Sequence, residues 1–257
     1  MSATVFAVHS HPDDIEFTMA GTLFLLAERG CRIHYMNIAN GSCGTTEYSR
    51  DEIVRIREQE GRAAADYLGA TFHESLVNDI EVFYEKDTLQ RLASVMRDVA
   101  PDIVLTSSPQ DYMEDHMNAC RLAVSAAFVL RAPNFPTDPP REIVDKDVVV
   151  YHAMPHGLRD GLRNRILGEF YVDISSVIEK KSKMLACHAS QKNWLARTQG
   201  FDSYLDTMKS MSREVGTLSG RFDLAEGWRR HSHLGFSRVE IDRLADLLGD
   251  DLVAFRA

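Results

Sequence analysis

Cysteine is scarce in this chain of 257 residues: Cys31, Cys43, Cys120 and Cys187 lie far apart, with no CxxC pair. That spacing offers no disulfide framework and suits a reducing compartment. Basic charge is scarce too, with 29 Lys and Arg against 38 Asp and Glu and a formal net charge of -9. Nucleic acid and acidic membrane surfaces both call for a basic face, and a short stretch such as EGWRRHSH does not supply one. No apolar run approaches the ~20 residues that span a bilayer, and the opening MSATVFAV lacks the basic leader of a signal peptide. Repeats, low-complexity tracts and Gly/Ser linkers are missing as well. The expectation is a single cytoplasmic domain over residues 1–257, with no membrane or nucleic-acid partner.

What is present is a 44% hydrophobic chain, enough for a full core. TVFAVHS, RIHYMNIAN, ATFHESL, DIVLTSS and KDVVVYHAM read as strands. Between them EFTMAGTLFLLAERG, YSRDEIVRIREQEGRAAADYLG, DTLQRLASVMRDVA and HMNACRLAVSAAFVL read as helices, two of them closed by Gly30 and Gly69. Such alternation predicts an α/β fold, a doubly wound and mostly parallel sheet with helices on both faces. EFYVDISSVIEKKSKMLACHAS reads as a strand feeding a long helix. FDSYLDTMKSMSREVGTLSG and SRVEIDRLADLLGDD add helices, so a core over about 3–190 carries a helical C-terminal extension over about 191–257. The Pro-rich RAPNFPTDPPRE marks a surface excursion, a lid or a partner contact.

Ligands of an open parallel sheet bind beyond the carboxyl ends of its strands. Two chemically dense stretches fall there: HSHPDD after the first strand and SSPQDYMEDH after the fourth. They offer His11, Asp13, Asp14, Asp111, Asp115 and His116. Imidazole and carboxylate are the ligands of a catalytic zinc, which takes about three from protein and leaves a position for water. His11 and Asp14 flank a tight turn set by Pro12, leaving Asp13 beside the metal as a general base. The competing reading of HPDD is a capped helix N-terminus, with acidic side chains complementing the dipole. The coincidence of both stretches at strand ends favours the metal.

AVHSHPDD before a helix, REQEGRAAADYLGA, and a later DH opening another helix resemble the PIG-L/LmbE family of zinc-dependent deacetylases. The resemblance implies a Rossmann-like sheet and substrates that are mostly N-acetylglucosamine derivatives. It assigns His11, Asp14 and His116 as zinc ligands and Asp13 as the base that deprotonates the attacking water, with Asp115 as a further catalytic group. Arg57 and Glu60 match an R-x-x-E on the second helix, in a structural or substrate-facing role. Two departures stand out. MEDH puts Met113 where many relatives carry a histidine that helps the intermediate break down, and NGSCG puts Ser42 where relatives often carry a Glu. A 4-oxalomesaconate hydratase branch also lacks the histidine at the Met113 position. That branch departs from the Asp at position 13, so the retained Asp13 favours hydrolysis.

His152 and His156 follow the fifth strand and are expected to face the crevice, with His152 the better-placed substitute acid. His9 reads as a supporting group behind His11, His231 and His233 as surface or interface residues, and Trp194 and Trp228 as packing. Three functions remain open: a zinc amidohydrolase acting on an N-acetylated, sugar-like small molecule, a zinc hydratase of an unsaturated dicarboxylic acid, and a metal-retaining binding module. His and carboxylate ligands also accept iron or manganese. The long C-terminal helices leave surface enough for a homo-oligomer.

Overall fold

Thr4–His9, the first strand (β1), is buried at every position, as a strand covered on both faces must be. Its side chains alternate between two cores. Val5 and Ala7 pack with Leu23, Ala64 and Tyr35 on one face, while Phe6 and Val8 pack with Met36, Met96 and Ala123 on the other. The computed structural model describes residues 2–191, 194 and 204–254. Around β1 lie the parallel strands Arg32–Asn37 (β2), Thr71–His73 (β3), Ile103–Thr106 (β4) and Val149–Ala153 (β5), in the order β3-β2-β1-β4-β5. The chain therefore switches direction between β1 and β4, and the carboxyl ends of these two neighbours open one crevice.

The crossovers are the helices Asp14–Thr18 (α1), Ala20–Glu28 (α2), Arg50–Leu68 (α3), Lys86–Val99 (α4) and Glu114–Phe128 (α5). The first expected helix is two, broken at Met19 with φ -142°. At the start of α3 the Glu52 carboxylate accepts from the backbone N–H and hydroxyl of Ser49, and Gly69 closes the helix at φ 78°. Among the described residues no helix is long and apolar enough to cross a membrane.

The C-terminal third departs from the helical extension expected. Besides Phe170–Asp173 (β6), Ile178–Leu185 (α6), Tyr204–Ser219 (α7) and Arg243–Leu248 (α8), it holds the strands Ala225–Arg230 (β7) and Leu252–Ala254 (β8). β7 inserts antiparallel between β5 and β6, and β8 pairs with β6, completing a mixed sheet of eight strands. Residues 201–203 of the stretch read as FDSYLD lie outside the described residues. AEGWRR hid its strand behind charge, yet Ala225, Glu226, Gly227 and Trp228 are all buried. A Cβ on Gly227 would stand 2.1 Å from Met154 Sδ, so a larger residue there would have to displace the Met154 side chain. Trp228 packs in the core as expected, its Nε1 donating to Thr22 Oγ1 at 3.0 Å. The Pro-rich segment is the surface excursion expected, most of its residues exposed, but its main chain is tied down. The buried Arg97 on α4 donates to the carbonyls of Val129, Ala132, Phe135 and Arg141 and straps the segment down.

Glu226 explains the buried charge in β7. Its carboxylate accepts from the backbone N–H groups of Gly21 and Thr22 at 2.8 and 2.7 Å, capping the first turn of α2. Lys181 Nζ, with no exposure, lies 2.6 Å from the same carboxylate. Removing one partner of such a pair strands the other charge without water. Glu226→Ala is therefore expected to lower stability by about 3–5 kcal/mol, measured by urea denaturation; a loss below about 1 kcal/mol would contradict this role.

Candidate metal centre

His11, Pro12, Asp13 and Asp14 form a tight turn, Asp14 N–H donating to the His11 carbonyl at 3.2 Å. Pro12 occupies the second position and Asp13 the third, where φ is 107°. A non-glycine residue in that region is crowded, and Asp13 is held there by its side chain. Its carboxylate lies 3.3 Å from Arg57 Nη2 and accepts a hydrogen bond from Tyr204. Burial raises the Asp13 carboxyl above its ordinary range, Arg57 pulls it back down, and neighbouring Asp14 adds to the rise.

The turn aims Asp14 at three imidazoles. Asp14 Oδ2 lies 2.9 Å from His9 Nδ1, 3.3 Å from His11 Nδ1 and 3.3 Å from His116 Nε2. Burial by itself would raise the Asp14 carboxyl, but the histidines around it hold it well below its ordinary range. The histidines respond in kind. Burial is outweighed for His11 by its hydrogen bonds to Asp115 and Asp14, which lift it to about 9, and His116 is raised well above its ordinary value by Asp14 and Asp111. His9 Nδ1 already accepts the Ser10 backbone N–H at 2.8 Å, so it and Asp14 Oδ2 are two acceptors in contact. Acceptors so placed need a proton or a cation between them, and this donor set suits a divalent ion that displaces the protons.

Of the three ligands expected, Asp14 and His116 stand in the compact set, whose third member is His9; their donor atoms all lie within 4.8 Å of one another. His11 sits on the same carboxylate oxygen and is tied by Nε2 to Asp115 Oδ2 at 3.0 Å. His9 is thus a donor in contact with Asp14 rather than a group behind His11. The period-2 geometry of a strand end, which puts residues 9 and 11 on one side, was the signal for it. Asp111 completes the group, lying 3.0 Å from His116 Nδ1 and orienting that ring. Asp115 orients His11, and also accepts from the Ile80 backbone N–H at 2.7 Å.

His9, His11, Asp13, Asp14 and His116 line a cavity of about 440 Å³. Arg57 is the one Lys or Arg among its described lining residues, and it is engaged by Asp13 and, at 3.5 Å, by Glu60. Glu60 in turn accepts from the Ser190 N–H and hydroxyl, fixing the turn that carries Gln191 to the cavity wall. Ser42 does not line the cavity; its buried hydroxyl accepts from Asp79 N–H at 3.1 Å. Trp194 lines it, where packing was expected, as do Phe17, Tyr112, Met113 and Tyr204.

The substitute acid is displaced by one turn of chain. His152 does not line the cavity: Nδ1 lies 3.4 Å from Cys120 Sγ and 3.1 Å from the Ser107 carbonyl, and Nε2 contacts His231 Nδ1 at 2.9 Å. His231 is thereby half buried as the partner of His152 rather than a surface residue. His156 is the histidine that reaches the cavity, its ring 4.7 Å from Phe17 and 6.1 Å from Tyr112. β5 ends at Ala153 and the chain turns through Pro155, so strand alternation no longer governs which residue points inward.

Residues 6–128 match the family model described as PIG-L, GlcNAc-PI de-N-acetylase. The chain is 30% identical over 227 residues to the 4-oxalmesaconate hydratase of Pseudomonas putida, covering 85% of this chain and 84% of the relative. It belongs to the PIG-L family. A second relative, the diacetylchitobiose deacetylase of Thermococcus kodakarensis, is 29% identical over 194 residues, 73% of this chain and 69% of that one. The crystal structure of the 4-carboxy-2-hydroxymuconate hydratase of Pseudomonas putida superposes with a TM-score of 0.73 at 28% identity, covering 94% of this chain and 99% of that one. PIG-L relatives thus include both amide hydrolysis and hydration.

His152 has a consequence for stability. Burial pushes it from 6.5 down to about 4, the Ser107 carbonyl only partly opposing, so the folded chain holds it neutral. As pH falls below 6.5 the unfolded chain takes up a proton that the folded one does not, and stability present above 6.5 is lost towards pH 4. Denaturation midpoints from pH 7 to 4 are expected to fall, and to fall less steeply in His152→Gln. An equal slope in the variant would show that His152 is not a source of the loss.

Proposed function

We propose that this chain is a metal-dependent amidohydrolase that removes acetyl from an N-acetylated, sugar-like small molecule. The observation that carries the reading is Asp13, a largely covered carboxylate with raised affinity for protons that adjoins the His9–Asp14–His116 donor set without belonging to it. A divalent ion held by those donors, zinc in our reading, supplies the Lewis acid that polarises an amide carbonyl and acidifies water. Asp13 takes the proton from the attacking water, its carboxylate aimed by Arg57 and Tyr204. Water oxygen bonds to the carbonyl carbon, the C–N bond breaks, and acetate and a free amine leave once the nitrogen gains a proton. His156, which burial keeps neutral and able to accept or pass a proton, is the cavity group in our reading for that last transfer. Asp115 acts through His11, which it holds by Nε2.

Met113 favours a second reading, hydration of an unsaturated dicarboxylic acid, because its thioether cannot donate a proton to a leaving amine. Charge weighs against it. Among the described lining residues Arg57 is the one Lys or Arg and is already paired, so beyond the metal donors a dicarboxylate finds no free guanidinium or ammonium to replace water. A neutral acetamide does not.

Zinc-loaded protein is expected to release acetate from N-acetylated amino sugars, and chelated protein to release none. Asp13→Asn should lower the rate by about 10²–10⁴-fold in protein that stays folded by circular dichroism, since Asn tolerates the left-handed turn and Glu60 still faces Arg57. Loss of diene absorbance on an unsaturated dicarboxylate, without acetate release from any amide, would replace hydrolysis by hydration.

A further inference from the structure

Ile80 adopts φ 63°, a backbone conformation that crowds a β-branched side chain, and the residue is 59% exposed. Strain of this kind costs about 1–3 kcal/mol, and so exposed a side chain recovers little of it by burial. The backbone has a reason to be there. Ile80 N–H reaches Asp115 Oδ2 at 2.7 Å, the oxygen that also holds His11. Next to it the Asp79 carboxylate accepts from Gly41 and Cys43 N–H at 2.7 and 2.8 Å, locking the two loops together. Asn or Gly would make the same N–H contact without the crowding. The main-chain geometry therefore does not account for an isoleucine; what remains is where its side chain lies, on the rim of the cavity.

Aromatic rings continue the lining inward from the rim. Tyr112, 48% exposed, begins a continuous run of rings: Tyr112 to His156 at 6.1 Å, His156 to Phe17 at 4.7 Å, Phe17 to Tyr204 at 5.6 Å. Met113 adds a thioether beside them. Of these apolar groups Ile80 and Tyr112 are the exposed ones, while Phe17 and Tyr204 are buried. A bare N-acetylated sugar would leave Ile80 and the ring of Tyr112 in water. An apolar or aromatic substituent would cover Ile80 and Tyr112 and remove both from water.

We propose that Ile80 is a specificity-determining residue, and that the substrate's N-acetylated unit continues into an apolar or aromatic group that rests on Ile80 and Tyr112. This rests on the amidohydrolase reading and narrows its substrate class. The test uses N-acetylglucosamine and its phenyl β-glycoside with the metal-loaded wild type and Ile80→Asn. KM for acetate release, binding by calorimetry and the thermal midpoint are all measured.

The wild type is expected to prefer the phenyl glycoside by about tenfold in KM. In Ile80→Asn that ratio collapses towards one while the thermal midpoint holds or rises, because the crowding is relieved. Acetate release with equal KM for both probes in the wild type, or an unchanged ratio in the variant, overturns the proposal and leaves the hydrolase reading intact. Calorimetric preference for the phenyl glycoside that Ile80→Asn abolishes, without acetate from either probe, supports the rim and counts against the hydrolase. Binding of neither probe overturns the rim.

Discussion

One carboxylate oxygen organises this protein. Asp14 Oδ2 stands within 3.3 Å of imidazole nitrogens from His9, His11 and His116, in a cleft where burial alone would raise its affinity for protons. Such a cluster is tolerable only with positive charge at its centre, whether protons or a metal ion. The three histidines come from the end of β1, the turn after it and the start of α5. The pairing of β1 with β4 puts α5 beside that turn, so the cluster exists because of the crossover of the sheet.

Constraint spreads outward from that point. Asp111 and Asp115 each hold one imidazole, and Asp115 also holds the main chain of Ile80. Asp13 is pushed into a left-handed conformation by the turn that aims Asp14, and is caught there by Arg57. Arg57 leads through Glu60 to Ser190, so a helix on one side of the sheet fixes the wall of the cavity contributed after α6. The strands of the C-terminal third join the same body through Glu226, whose carboxylate caps α2 from the far end of the chain. Function and fold share these polar contacts, which is why so many charged groups here are buried.

The parallel half of the sheet was legible because each strand is a short apolar run followed by an amphipathic or apolar helix with a recognisable stop, as at Gly69. The HPDD turn and the DH opening α5 were legible for the same reason, lying at strand ends where polar residues have no core to serve. β7 was not. Its Glu226 and two arginines look like solvent-facing charge until Lys181 and the α2 N-terminus, 45 and about 205 residues away, are brought against Glu226. His152 and His156 were misplaced relative to one another because strand periodicity stops at Ala153, and no local rule says where a side chain points beyond it. Trp194 and Tyr204 enter the cavity from a region with no motif, and only tertiary packing shows them there.

The central claim is that the Asp14 cluster is a metal centre, and elemental analysis of protein dialysed against divalent ions tests it most directly. The account predicts a single ion bound per chain, lost in Asp14→Ala while the variant stays folded by circular dichroism. Wild-type protein that retains no metal, or a variant that retains it fully, would contradict the account.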